Sequence, residues 1–264
     1  MTQVDSAKRS GIAGLASFGL AARAFTYLVI AWLAFQIALG HHTHQANQRG
    51  ALAEIAQNSL GLALLWIVGF GLGAYALWRF IEAATGTATD GKKAGPRLKS
   101  AARGIVYAAL CVSTFAFIAG TSREGQAEKQ STLTARVMKH DFGRWLVGAA
   151  GVVVVIVGIV LIVNGARKKF EEELRTGEMS PTTRRVVSRL GMVGTISRGI
   201  VFATAGILVV DAAVSFDPKE SRGLDGALRT LADQPYGPWI LGALALGLMA
   251  FGAFGFAAAR WVKT

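Results

Sequence analysis

Three arginines open apolar runs in closely similar settings: Arg103 in "AARGIVYAAL" (101–110), Arg198 in "SRGIVF" (197–202) and Arg23 in "ARAFTY" (22–27). A guanidinium is planar, permanently charged and able to grip phosphate or carboxylate through two parallel hydrogen bonds. Three of them brought together would bind an anion, whether free or on a lipid headgroup. The same side chain on a membrane helix can instead lay its stem on apolar surface and send its charge to the headgroup layer. Each arginine would then be an anchor acting alone. Spacing leaves both readings open, because it does not say whether the three face a common axis.

Other residues with reactive chemistry are few. His41, His42 and His44 could hold copper, nickel or zinc, with Glu54 and His140 as conceivable further ligands. Loop histidines are usually solvated, so no metal is expected, and nothing implies a cofactor. The single cysteine, Cys111, lies in the third apolar run and reads as a small apolar residue. Asp211 follows Arg198 by thirteen positions near a helix end, and Gln36 and Ala116 stand at the matching places. Arg79 and Glu82, three apart, suit an ion pair at the end of their helix. GxxxxGK[ST], HExxH, serine–histidine–acid patterns and hydrolase-like carboxylate pairs are absent, so an enzyme is the least expected class.

These residues must be positioned by membrane helices. Fifty-two per cent of the chain is hydrophobic, and the apolar residues gather into six runs, over 24–39, 60–78, 104–120, 145–163, 199–214 and 239–259. About 20 apolar residues cross a bilayer core. Three runs suffice unaided; the first, third and fifth do so only if their helices begin before the arginine. The stretch "GVVVVIVGIVLIV" (151–163) has no polar face, which excludes a soluble bundle. Residues 1–20 lack the pattern of a cleaved signal peptide. Of the 28 Lys and Arg, 19 lie in segments on the side of the termini, so the positive-inside rule places both termini in the cytoplasm of a plasma-membrane protein. The whole net charge of +12 then falls on that face. A pI near 10.3 would suggest nucleic acid in a soluble chain; topology accounts for it here, and anionic lipid headgroups are the expected partners.

The arginines also mark an internal repeat. A glycine that opens the next helix follows each of them after 38, 40 and 39 residues: Gly61, Gly143 and Gly237. Apolar residues stand six positions before each glycine, at Ile55, Val137 and Leu231, and "GALAEIAQNSLG" matches "GALRTLADQPYG". The expected architecture is a single all-α membrane domain (1–264) of six transmembrane helices. They form three parallel two-helix repeats, over 11–84, 97–170 and 186–261, in a pseudo-threefold array. Short amphipathic helices on the outer side would cap it, and Leu52, Leu228 and Leu231 supply their apolar faces. In the second linker, Arg167, Lys168 and Lys169 precede Glu171, Glu172 and Glu173 at i,i+4, and Ser180–Pro181 reads as a helix start.

The arginine–glycine entries at 103–104 and 198–199, the segment "GALRTLADQPYG" and "ARVMKHDFGRWLVG" (135–148) resemble a bacterial family, domain of unknown function 1206, common in actinobacterial membranes. Copy one departs by carrying Ala24 after its arginine. The resemblance implies the repeated membrane fold and no activity. The expected role is a non-catalytic structural, accessory or lipid-binding component, alone or in a larger membrane complex. The alternative is an anion or small-solute transporter with a cavity between the repeats.

Overall fold

The computed structural model describes residues 3–40, 52–53, 56, 59–86, 93–120, 126–140, 142–215, 217 and 223–263. Within them the chain is helical: α1 (Gln3–Ala38), α2 (Ser59–Thr85), α3 (Ala94–Ile118), α4 (Gln126–Met138), α5 (Gly143–Ala166), α6 (Pro181–Ser215), α7 (Gly223–Ala232) and α8 (Gly237–Trp261). Six of these, α1, α2, α3, α5, α6 and α8, are long and apolar enough to span a membrane. As the run lengths require, α1, α3 and α6 all start well before their arginines. Ser180 begins α6 by accepting the Thr183 N–H on its Oγ at 3.2 Å, with Pro181 at the first helical position.

The spanning helices follow one another in space in the order α3, α2, α1, α8, α6, α5, each packed along its neighbour. Between repeats the rule is cyclic: α2 packs on α3, α5 on α6 and α8 on α1. Within repeats α1 packs on α2 and α6 on α8, but α3 and α5 of the middle repeat fall short of any comparable contact among the described residues. The repeats are therefore packed unequally, with a seam between α3 and α5. Those two helices are also the least buried, as lipid-facing helices should be.

The residue after each arginine lies where one repeat crosses the next. A Cβ on Gly104 would come within 2.8 Å of Phe80 on α2, and one on Gly199 within 2.7 Å of the Gly158 carbonyl on α5. Copy one breaks the glycine rule because its neighbour compensates: Ala24 faces Gly255 of α8. With the small residue on the helix crossing, the arginine one position earlier turns toward the bundle interior. Gly69 and Gly73 face Phe115 and Cys111 of α3, so this GxxxG pair serves contacts within the chain.

The most extensive crossing is α5 on α6, where Gly151 and Gly158 meet Gly206 and Gly199. Lipid supplies little hydrophobic drive between helices, so backbone proximity does the work. A Cβ on Gly158 would lie 2.5 Å from Ala203 N. Gly158→Leu is expected to cost about 1–3 kcal/mol through forced separation of the two helices, read as a lowered midpoint in detergent-mixture unfolding. An unchanged midpoint would mean that this crossing contributes nothing.

The far end of the bundle is capped as the repeats suggest. Ala227 and Leu228 of α7 are buried against Leu33, Val201, Leu241 and Leu248. In copy one Leu52 is buried and its carbonyl accepts the Ala56 N–H at 2.9 Å. Phe142 and Tyr236 take left-handed backbone, and a side chain on the following Gly143 or Gly237 would strike the carbonyl of Val137 or Ala232. That collision explains the two landmark glycines. Exposed Trp145 and Trp239 beside them suit a headgroup belt.

The second linker corrects an expectation. Its basic and acidic residues do not pair at i,i+4 along a helix, because left-handed Lys168 interrupts the chain and a 3-10 turn follows (Lys169–Glu173). The glutamates reach other elements instead: Glu171 pairs with Arg184, and Glu173 with Arg79 and Arg103. The end of the chain clamps this turn. Lys263 N–H donates to Glu173 O at 2.9 Å, Arg175 N–H to Trp261 O at 2.7 Å, and Leu174 bridges to Val262.

Candidate anion-binding site

All three repeat arginines line one cavity of about 200 Å³ in the half of the bundle nearer the termini. Each comes from the first helix of its repeat, turned inward by the small residue that follows. Arg23 and Arg198 lie against a shared aromatic wall: their guanidinium carbons are 5.9 and 5.4 Å from the Tyr27 ring and 5.0 and 5.1 Å from Phe251. Phe202 lies 5.0 Å from Arg198 and Tyr107 6.0 Å from Arg23. Tyr27, Tyr107 and Phe202 each stand four residues after a repeat arginine, so the aromatic wall is part of the repeat. Arg103 is more open, its side chain 46% exposed, and meets Glu173 at 3.6 Å.

Sequence reasoning missed part of the site. Arg79, whose ion pair with Glu82 (2.7 Å) was expected at a helix end, is 5% exposed and faces the cavity. Its Nε donates to the Tyr75 hydroxyl at 3.0 Å, and Arg23 Nη1 donates to the same oxygen at 3.2 Å. A tyrosine oxygen has two lone pairs. With both engaged, its own proton is left for an acceptor in the cavity. Ser100 Oγ donates to Glu82 at 3.1 Å.

Counting from Gly61, Gly143 and Gly237 shows why their place at the cavity was not foreseen. Fourteen positions on stand Tyr75, Val157 and Phe251; eighteen on, Arg79, Leu161 and Gly255; twenty-one on, Glu82, Asn164 and Ala258. All of these except Val157 and Glu82 line the chamber, and only copy one carries charged residues at these positions. A periodic signal could have flagged the positions, though not their chemistry.

Charge in the cavity is unbalanced. Arg23, Arg79, Arg103, Arg198 and Lys169 line it, against Glu173 in the same wall and Glu82, which pairs with Arg79 from just outside it. Arg198 Nε is buried with no hydrogen-bond partner among the described residues. A buried donor without an acceptor costs about 1–3 kcal/mol, and an anion among these guanidiniums would relieve it.

Glu173 sits outside the spanning helices. Partial burial pushes its pKa up, but Arg103, Arg79 and Arg23 outweigh that and hold it below the ordinary 4.5. The folded protein thus binds this proton less readily than the unfolded chain, so stability rises with pH in that window. The contribution of Glu173 is present above about pH 4.5 and is lost as pH falls through its lower folded value. Melting curves of the wild type and Glu173→Gln are expected to differ near neutrality and converge in acid. A constant difference would show that the carboxylate is not held by the arginines.

The remaining expected site residues lie elsewhere. His41, His42 and His44 fall outside the described residues. No cluster of three His, Cys, Asp or Glu suits a metal ion among the described ones. Asp211 is exposed near the end of α6 and takes no part in the cavity. Cys111 Sγ donates to Gly69 O at 3.3 Å in the α2–α3 contact.

Fold and cavity define a multi-pass helical membrane protein with a cationic chamber between its repeats. The chain belongs to the family described as Domain of Unknown Function (DUF1206), whose sequence profile matches residues 18–86, 98–168 and 193–262. It is 31% identical over 250 residues to "Uncharacterized protein YxxB" of Bacillus subtilis (strain 168), covering 94% of this chain and 88% of that one. No solved structure matches the chain.

Proposed function

We propose that this protein is a non-catalytic component of the plasma membrane that captures an anionic group, phosphate or carboxylate, in the chamber between its repeats. The observation that carries this reading is the convergence of Arg23, Arg103 and Arg198 on one cavity, joined there by Arg79. Cations drawn into a low-dielectric site repel one another and lose hydration, so a chamber where five of them meet two carboxylates, Glu173 and the Glu82 paired with Arg79, favours an anion. The unpartnered Arg198 Nε and the left-over Tyr75 proton supply donors for it.

The far half of the bundle supports retention over conduction. Leu33, Val201, Leu241 and Leu248 fill it with apolar contacts, and a transporter built on the same cavity would have to open that core. The distribution of Lys and Arg supports a cytoplasmic mouth with both termini on that side. A cysteine at Thr264 would then resist an impermeant maleimide in whole cells, and one at His42 would react.

The direct test is calorimetric titration of purified protein in neutral detergent with inorganic phosphate. Saturable, salt-sensitive binding is expected, weakened at least ~10-fold in Arg198→Gln by the loss of a charge-assisted contact. No binding by the wild type would overturn the reading.

A further inference from the structure

The reading of the chamber as an anion site leaves open where the anion comes from, and the seam between α3 and α5 bears on that. Every other pair of neighbouring spanning helices packs along its length; these two do not. Between them lies a vestibule of about 550 Å³, with Pro96, Lys99 and Ser100 from α3 on one side and Val160 and Asn164 from α5 on the other. It shares Arg79, Arg103, Asn164 and Glu173 with the inner chamber, so the two are continuous.

The flanks of the seam are apolar and face outward. Ile105 and Val106 on α3, and Val153, Ile156 and Val160 on α5, are exposed on the surface of helices that cross the membrane. Inside, guanidiniums alternate with apolar Leu20, Leu161 and Phe254. The approach from water is different, because Glu172 and Glu173 stand there beside Lys169 and Lys263. A path that is cationic within, apolar at its lateral opening and of balanced charge toward water matches an amphiphile better than a soluble ion. The inner chamber has room for about ten or more water-sized groups, at the ~10–15 Å³ that one water needs. That suits a headgroup and excludes acyl chains.

Resting on the anion reading above, we propose that the chamber takes the phosphate of an anionic phospholipid, which enters sideways through the α3–α5 seam and leaves its acyl chains on the outer faces of those helices. Arg198, Arg23 and Arg103 hold the phosphate oxygens, and Val160 and Asn164 form the lip of the seam on α5.

The test uses the full-length, delipidated protein in neutral detergent. Binding is measured for short-chain phosphatidylglycerol, for its water-soluble headgroup glycerophosphoglycerol, for short-chain phosphatidylcholine and for inorganic phosphate. Phosphatidylglycerol is expected to bind at least ~10-fold more tightly than its headgroup or phosphatidylcholine, about the ratio that one charge-assisted contact represents. Val160→Trp, which narrows the seam at a residue that lines the vestibule and not the inner chamber, should remove that advantage and leave the phosphate affinity unchanged. Equal binding of lipid and headgroup, or lipid binding that Val160→Trp does not alter, overturns lateral entry while the anion reading stands. Failure of every ligand to bind overturns both. Because Val160→Trp could perturb folding, the wild type in nanodiscs is also labelled with phosphatidylglycerol carrying a photoreactive group beside its phosphate. Crosslinks concentrated in 103–107 and 157–164 support the proposal, and labelling spread evenly over the outer surface defeats it.

Discussion

Arg79→Ala is expected to destabilise the protein by about 3–5 kcal/mol, the usual cost of removing one partner from a buried ion pair. The guanidinium is almost fully enclosed, 4.1 Å from the Trp78 ring and bonded to both Tyr75 and Glu82. Without it Glu82, 12% exposed, keeps only the Ser100 hydroxyl among the described residues. The cost comes chiefly from the stranded carboxylate, since taking a charge out of water is expensive however it is later paired. Arg79→Met combined with Glu82→Leu should therefore recover most of the loss, because neither charge remains to be satisfied. Arg79→Lys should fall between, since an ammonium keeps the charge and gives up the fork that reaches two partners at once. Unfolding midpoints in mixed detergent, taken through a double-mutant cycle, measure the coupling. A shift below about 0.5 kcal/mol for Arg79→Ala, the range of ordinary surface substitutions, would mean that water reaches the pair.

Lysine substitutions at the repeat arginines separate a shared site from independent anchors. Lysine also reaches a headgroup layer and keeps the charge, so anchors should tolerate it. A converged site should not, because lysine cannot match two anion oxygens with a planar fork. Each of Arg23→Lys, Arg103→Lys and Arg198→Lys is expected to weaken phosphate binding by about 1.5–3 kcal/mol, roughly ten- to a hundredfold. Arg198 should sit at the upper end, as its Nε is buried and unpartnered, and Arg103 at the lower, since it is half-exposed and already meets Glu173. The triple variant should lose less than the sum, because three residues on one ligand are not independent. Small, equal and additive shifts would dissolve the site into three anchors.

Much of the architecture was legible in the chain. Six spans follow from run length, and the start of each odd-numbered span before its arginine follows from the shortness of the run behind it. Gly143 and Gly237 announced themselves by recurrence, and the backbone shows why no larger residue could stand there. The linker glutamates were misread because their spacing suits a helix. Whether a helix forms there depends on Lys168 and on the clamp from residues 261–263, which are distant in sequence.

The sequence by itself determined the class, the repeat and the three arginines, because hydropathy, periodicity and residue type are local properties that every segment carries with it. Their convergence is of another kind. It depends on which side of each helix meets a neighbour, and that was decided by close contacts such as Gly158 on Gly199 and Ala24 on Gly255 between distant segments. The asymmetry of the chamber has the same origin. Tyr75, Arg79 and Glu173 become neighbours only when α2 and the second linker fold against one another, and the α3–α5 seam exists only because one of the similar helix pairs stays apart. Interatomic distance sets electrostatic and hydrogen-bond energies, and distance between remote segments is a property of the packed chain.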